Sequence, residues 1–193
     1  MRAKVFASVS VPELADMILD GAIGVIPTDT VYGLVAKASR KSAIDRLYRT
    51  KPRHLQPGTT IGADIEDFRE LGFPEKELRH CLKYWPNPIS VVLDADHVEP
   101  YLKKRRESLP VRIPKARKLT KLLSKTGALM TTSANAPGQP TATNITDAMK
   151  YFGDSVDFYV DTGDLGERPP STIIGIDSSK ITVYRHGAVE ITE

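Results

Sequence analysis

A short apolar segment that ends abruptly in polar residues constrains the fold of this chain more than any other feature. Residues 22–26 are Ala-Ile-Gly-Val-Ile, a run typical of a buried strand, and Thr28, Asp29 and Thr30 follow Pro27 directly. Pro27 is expected to end the strand's hydrogen-bond ladder because proline has no N–H to donate. Ligands of open α/β sheets bind at the carboxyl ends of strands. The pattern therefore predicts either a ligand site or an ordinary polar turn, since Thr and Asp are common in turns.

The length and composition indicate one globular domain, residues 1–193. A chain of 193 residues with 40% hydrophobic and 26% charged residues can bury a sizeable core. Cys81 is the single cysteine, so the chain forms no internal disulfide, which fits a reducing compartment. The N-terminus lacks the apolar segment of a signal peptide, and no run approaches the roughly 18 apolar residues of a membrane span. We therefore expect a cytoplasmic protein without a membrane partner.

The apolar periodicity predicts helices alternating with short strands, which favours a mixed α/β sheet with helices outside it. Ser10 is predicted to cap the first helix and Asp64 a later one. Predicted helices, with their caps, lie at 10–19, 42–49, 64–71, 74–84, 115–124 and 144–152. Predicted strands lie at 23–26, 59–63, 90–93, 111–113, 128–132, 158–161, 172–176 and 181–184.

Basic residues are unevenly distributed, although the net charge is only +3. Residues 103–106 are Lys-Lys-Arg-Arg, and five further basic residues lie between 115 and 125. Such a run indicates either a solvated surface or a surface that attracts polyphosphate or RNA. No aromatic residues are interleaved with these charges, so a stacking platform for single strands is not indicated.

Several polar pairs are suited to binding an anionic or nucleotide ligand. Lys51 and Arg53 flank a proline and would point to the same side of an extended segment, where two cations suit a polyphosphate; a charged helix end is the alternative. Ser133 and Asn135 follow another apolar run and suit either ribose and phosphate oxygens or turn capping. Arg112 lies in a predicted buried strand, where an arginine needs a partner such as a substrate carboxylate.

No nucleophile paired with a base, no Walker-type loop and no Cys/His metal spacing is evident in the sequence. A reaction that depends on positioning and charge neutralisation fits better than covalent catalysis.

These motifs together resemble the YrdC family, the threonylcarbamoyl-AMP synthases. The family pattern has PT(D/E)TVYGL, Lys-x-Arg, Trp-Pro-Gly-Pro, Arg-(Val/Ile)-Pro, Ser-x-Asn, Ser-Thr-(Ile/Val) and a late Arg-x-Gly. Nearly all of them occur here in that order, at 27–34, 51–53, 85–88, 112–114, 133–135, 171–173 and 185–187. The resemblance implies the YrdC/RibB-like fold, in which a twisted mixed sheet with flanking helices holds a large concave pocket, and the short, single-domain form.

The resemblance also implies a reaction and its partners. L-threonine and bicarbonate form a carbamate that attacks the α-phosphorus of ATP, giving threonylcarbamoyl-AMP and pyrophosphate. Mg²⁺ would be carried in with ATP, without a metal bound by the protein itself. Downstream threonylcarbamoyl-transfer proteins would move the group to tRNA. An RNA-binding module of the same fold, recognising tRNA or double-stranded RNA without turnover, is the alternative.

Matched residue by residue, the resemblance implies two groups of site residues. Thr30, Arg112, Thr131 and Ser171 would bind threonine. Lys51, Arg53, Ser133, Asn135 and Arg185 would bind ATP, with Lys51 and Arg53 as the catalytic cations on its phosphates. Asp29 either orients a substrate amine or caps its turn, and the turn is the favoured role.

The chain departs from the family pattern at Asn87, in the segment 56–61 and at Val35-Ala36, where packing is expected to absorb the change. Asn87 replaces the glycine of Trp-Pro-Gly-Pro, and asparagine tolerates left-handed geometry better than most residues. Ile61 lies near the place where some relatives carry a histidine that touches threonine. That difference leaves the amino-acid specificity open.

Overall fold

The computed structural model describes residues 2–52, 57–177 and 180–191. Its strands are β1 (Lys4–Phe6), β2 (Gly24–Pro27), β3 (Tyr32–Lys37), β4 (Thr59–Ile61), β5 (Ile89–Asp94), β6 (Ser108–Arg112), β7 (Leu129–Ser133), β8 (Phe158–Val160), β9 (Thr172–Asp177) and β10 (Lys180–Arg185). Its α-helices are α1 (Pro12–Leu19), α2 (Lys41–Thr50), α3 (Ile65–Arg69), α4 (Glu75–Cys81), α5 (Pro100–Lys103), α6 (Arg117–Thr126) and α7 (Ile145–Phe152).

The strands of the described residues form one mixed sheet in the order β1-β8-β2-β3-β7-β4-β6-β5-β9-β10. β3 pairs antiparallel with both β2 and β7, whereas β4 with β6 and β5 with β9 are parallel pairs. The predicted mixed α/β sheet with flanking helices is confirmed. None of the helices in the described part of the chain is long and apolar enough to cross a bilayer.

The sheet separates two apolar clusters. Leu14 and Ile18 of α1 pack with Leu119 and Leu123 of α6 over one face of the sheet. The other cluster includes side chains of α2, α3, α4 and α7 and covers the opposite face. Because successive strand residues point to opposite faces, β2, β3 and β7 supply both clusters, as Val25 and Ile26 of β2 do.

The same alternation places the polar residues of several strands on the α1/α6 face. In β7, Leu129 belongs to the α1/α6 cluster, so Thr131 and Ser133 lie on that face as well. In β6, Val111 belongs to the opposite cluster, so Arg112 also lies on the α1/α6 face. Polar residues thus continue the strands beyond the area that α1 and α6 cover, and they form the floor of a cleft.

The hairpin between β2 and β3 differs from the sequence-based expectation. Pro27 ends β2 as predicted, and as the last residue of the strand it still lies opposite Tyr32 of β3. A terminal strand position tolerates proline because the missing N–H then costs at most one ladder hydrogen bond. Residues 28–31 therefore form the loop of a hairpin. Its second strand, β3, was not predicted.

Candidate functional site

The loop 28–31 is held by the hydroxyl of Thr28. Thr28 Oγ1 donates to the carbonyl of Val31 at 2.7 Å and accepts the N–H groups of Thr30 and Val31, each at 3.2 Å. Thr28 Oγ1 and Thr30 Oγ1 lie 3.1 Å apart. The turn is thus closed by a threonine, and this arrangement presents the hydroxyl of Thr30 beside the cleft.

Asp29 has a role that neither sequence-based alternative included. Its Oδ1 lies 3.0 Å from Nη2 of Arg112, and the two side chains are only 3% and 4% exposed. Its Oδ2 accepts the backbone N–H of Lys115 at 3.0 Å. The preference for Asp29 as a turn cap is therefore wrong, because Thr28 closes the turn and the carboxylate faces a buried guanidinium.

Arg112 is a buried cation with unused hydrogen-bonding capacity. Within the described residues its Nε has no hydrogen-bond partner. Burial lowers the pKa of the guanidinium, and the charge of Asp29 opposes that shift. Arg112 lines the cleft, so its positive charge lies in the wall that an anionic ligand would contact.

The cleft brings together most of the predicted site residues from distant parts of the chain. The space within it and at its open mouth is about 710 Å³, a figure that includes bulk solvent. The predicted residues along its wall are Thr30, Arg112, Thr131, Ser133, Ser171 and Arg185.

Lys51 is not among the residues that line the cleft, but it is hydrogen-bonded to Ser133, which is. The side chain is buried, and Nζ donates to the carbonyl of Ser133 at 2.6 Å, to Ser133 Oγ at 3.2 Å and to Asn135 Oδ1 at 2.7 Å. Asn135 in turn donates to the carbonyls of Ala136 and Gln139. Lys51, Ser133 and Asn135 are thus one hydrogen-bonded unit at the end of β7. The remaining predicted residue, Arg53, lies outside the described residues.

Ser171 and Arg185 form the opposite wall. Arg185 donates from Nε and Nη2 to the carbonyl of Ser171, at 3.1 and 2.8 Å, and from Nη2 to Ser171 Oγ at 3.1 Å. A fork of this kind fixes the plane of the guanidinium. Gly187 allows the chain after β10 to approach Pro170 closely, because a Cβ at Gly187 would lie 2.3 Å from the carbonyl oxygen of Pro170.

Several residues of the cleft were not predicted. Gly33 and Gly58 give the floor its depth: a Cβ at Gly33 would lie 2.6 Å from Thr131 Oγ1, and one at Gly58 would lie 2.4 Å from the carbonyl of Thr131. Thr132 also lines the cleft, and its hydroxyl has no partner among the described residues. Gly33 could have been predicted, because it closely follows the polar residues 28–30 at the end of β2. Nothing local in the sequence indicated Gly58.

Two of the departing residues, Ile61 and Asn87, are not among the residues that line the cleft. Ile61 is fully buried and packs in the α1/α6 cluster, two residues along β4 from Thr59, which does line the cleft. Asn87 has no left-handed backbone, and its N–H donates to the carbonyl of Ile113 at 3.2 Å. The turn around Asn87 therefore does not use the left-handed geometry that asparagine tolerates. The left-handed non-glycine residues in the described chain are Lys104 and Arg105.

Comparison with known proteins connects this chain to one family. The sequence model of the Sua5/YciO/YrdC family, described as "Telomere recombination", matches residues 16–187. A threonylcarbamoyl-AMP synthase of Nitrosococcus oceani is 35% identical over 166 residues, which cover 82% of this chain and 89% of that protein. One from Marinobacter nauticus is 30% identical over 165 residues, covering 82% and 87%.

Solved structures agree with the fold. The crystal structure of P. abyssi Sua5 complexed with L-threonine matches with a TM-score of 0.82 at 24% identity, over 95% of this chain. This chain spans only 57% of that one. E. coli YciO matches with a TM-score of 0.82 at 21% identity, over 97% of both chains. At these identities the two structures support the fold alone.

Proposed function

This chain belongs to the Sua5/YciO/YrdC family, and on that premise we propose that it is an L-threonylcarbamoyl-AMP synthase. The enzyme joins L-threonine, bicarbonate and ATP into threonylcarbamoyl-AMP and releases pyrophosphate, for the threonylcarbamoyladenosine modification of tRNA. Relatives named for this activity cover most of the chain at 30–35% identity.

One structural observation carries the proposal. The cleft assembles hydroxyls and guanidinium groups from five separate segments: the β2–β3 loop, the end of β6, the end of β7, the start of β9 and the end of β10. Arg112 of β6 and Arg185 of β10 provide the guanidinium groups, and Thr30, Thr131 and Ser133 provide hydroxyls from the β2–β3 loop and β7. Such a cleft suits two ligands that each carry anionic oxygens and must be oriented against one another.

The proposed chemistry requires orientation and charge neutralisation. The amine of L-threonine adds to bicarbonate with loss of water, and one carbamate oxygen then attacks the α-phosphorus of ATP while the bond to pyrophosphate breaks. Negative charge accumulates on the phosphoryl oxygens, so fixed donors stabilise the transition state. We assign Thr30, Arg112, Thr131 and Ser171 to threonine, and Lys51, Arg53, Ser133, Asn135 and Arg185 to ATP.

Mg²⁺ is proposed to arrive bound to the phosphates of ATP, as part of the substrate. Proteins bind this ion through few side chains when a nucleotide supplies the remaining oxygens. The product is a mixed anhydride that reacts with water, and a transfer protein acting on tRNA is proposed to consume it.

Pyrophosphate release tests the proposed function directly. Purified protein with ATP, Mg²⁺ and bicarbonate is expected to release pyrophosphate when L-threonine is added, and only at background rate without it. Release with another amino acid alone would refute threonine as the substrate. A protein that releases no pyrophosphate but binds tRNA with a steep salt dependence would instead be an RNA-binding module.

Substituting Gly33 tests whether the floor of the cleft holds substrate. In Gly33→Ala the new methyl group displaces Thr131 Oγ1, from which an ideal Cβ lies 2.6 Å. We expect kcat/KM for L-threonine to fall about 10-fold, because small displacements of positioning groups are costly. Overpacking should lower the unfolding free energy by about 1–3 kcal/mol.

Gly62→Ala is the matched control. Its Cβ would lie 2.9 Å from Phe68 Cζ, and Gly62 does not belong to the described wall of the cleft. A similar stability loss without a change in kcat/KM is expected. Equal losses of kcat/KM in both variants would mean that Gly33 acts only through packing.

A further inference from the structure

A buried serine behind the cleft wall has no role in the site described so far. Ser90 of β5 is fully buried, and its Oγ lies 2.9 Å from Oγ of Ser171. Within residues 2–52, 57–177 and 180–191 this is the only hydrogen bond that the Ser90 hydroxyl makes. Ser171 lines the cleft, whereas Ser90 does not belong to its described wall.

The direction of this hydrogen bond follows from the capacity of each group. A hydroxyl has one hydrogen and two acceptor lone pairs, and a guanidinium only donates. Ser171 Oγ therefore accepts from Arg185 Nη2. If Ser171 also donated to Ser90, the Ser90 hydrogen would be buried without an acceptor. Orphaned buried donors are rarer than acceptors with spare capacity, so Ser90 is the donor and Ser171 the acceptor.

With this direction of the hydrogen bond, the Ser171 hydroxyl can act toward a ligand only as a donor. Both of its lone pairs are filled, one by Ser90 and one by Arg185, and its hydrogen has no acceptor among the described residues. Because Ser171 lines the cleft, that hydrogen is available to a bound molecule. A hydroxyl in this state cannot accept a hydrogen bond from a substrate ammonium group.

We propose that Ser90 is a positioning residue that makes Ser171 a dedicated hydrogen-bond donor to an anionic oxygen of the substrate. Ser90 touches no substrate: it fixes the Ser171 hydroxyl, so that the remaining hydrogen of that hydroxyl donates to the oxyanion. The oxyanion is a carboxylate or a phosphate oxygen. This role rests on the proposed function. The oxyanion therefore belongs either to the carboxylate of L-threonine or to a phosphate of ATP, and the test distinguishes the two.

The test is a double-mutant cycle on ligand affinity. Calorimetric titration with L-threonine and, separately, with ATP compares the wild type with Ser90→Ala, Ser171→Ala and the double variant. Ser90→Ala should weaken one of the two ligands about 3- to 10-fold, as expected for a mispositioned hydrogen bond to a charged group. The affected ligand identifies the source of the oxyanion. The double variant should match Ser171→Ala, because Ser90 acts only through Ser171.

Two further variants separate positioning from packing. Thr60→Val removes another fully buried hydroxyl, one with no hydrogen-bond partner among the described residues, and should leave both affinities unchanged. Ser90→Cys fills the space that alanine leaves empty, but a thiol is a weak donor. It should therefore lose affinity as Ser90→Ala does.

Two results would overturn the role of Ser90 but leave the proposed function standing. One is that Ser90→Ala binds both ligands with wild-type affinity. The other is that the fold-losses of affinity in Ser90→Ala and Ser171→Ala multiply in the double variant. A wild-type protein that binds neither ligand would refute the proposed function itself, and the role of Ser90 with it.

Discussion

Replacing Lys51 by alanine is expected to lower threonine-dependent pyrophosphate release by about 100-fold or more, the range found when a preorganised donor is lost from an active site. The ammonium group donates to the carbonyl of Ser133, to Ser133 Oγ and to Asn135 Oδ1. Without it, this part of the cleft loses a positive charge, and three acceptors on Ser133 and Asn135 lose a donor. Kinetics with varied ATP, together with denaturant unfolding, measure both consequences.

Arginine should not rescue this position. Its planar fork cannot direct donors at the converging oxygens of Ser133 and Asn135 as an ammonium group does, so Lys51→Arg should remain at least about 10-fold below the wild type. Lys41→Ala is the control, because Lys41 forms an exposed i,i+4 pair with Asp45 at 2.5 Å. Pairs of that kind contribute little, and its activity should stay near that of the wild type. Full activity of Lys51→Ala would remove Lys51 from the site.

The sequence was sufficient to predict the elements with strong local signals. Apolar runs predicted β2 and β7, and Asp64 caps α3 as expected, accepting the N–H of Glu66 at 2.9 Å. The Ser10 cap was wrong: Val11 occupies the N-cap of α1, and the N–H of Ser10 donates to the hydroxyl of Ser8 instead. A serine near a helix start has several backbone partners within reach, and only the path of the chain selects one.

The elements that were missed depend on tertiary pairing. β3 directly follows a polar loop and contains Gly33, so its sequence resembles a continuing turn. It is a strand because β2 and β7 pair with it on both sides, and strand formation depends strongly on such context. β1 and α5 have three and four residues, which is too short for a periodic signal.

The sequence was sufficient to predict which residues line the candidate site, but it did not predict the hydrogen bonds between them. The ordered motifs identified Thr30, Arg112, Thr131, Ser133, Ser171 and Arg185, and the structure places all six around one cleft. The contacts that hold them join distant segments: Ser90 and Ser171 are 81 residues apart in the chain. The register of the central strands sets these contacts, and register is a property of the folded sheet.

The buried pair of Asp29 and Arg112 should produce the largest stability effect in the molecule. Asp29→Ala is expected to lower the unfolding free energy by about 3–5 kcal/mol, because it leaves a buried guanidinium without a compensating charge. It also removes the acceptor for the N–H of Lys115. Denaturant unfolding with unchanged slope measures the loss. Arg46→Ala breaks a more exposed pair, with side chains 36% and 30% exposed, and should cost about 1 kcal/mol or less.

The double variant Asp29→Ala/Arg112→Met separates stability from ligand binding. Replacing both charges with apolar groups removes the desolvation penalty, so much of the stability lost in Asp29→Ala should return. Pyrophosphate release should not return, because Arg112 also lines the cleft. A stable and inactive double variant would establish that the cation serves the ligand as well as the fold. A stable and active one would reduce Arg112 to half of a structural ion pair and leave Arg185 as the guanidinium that meets the substrate.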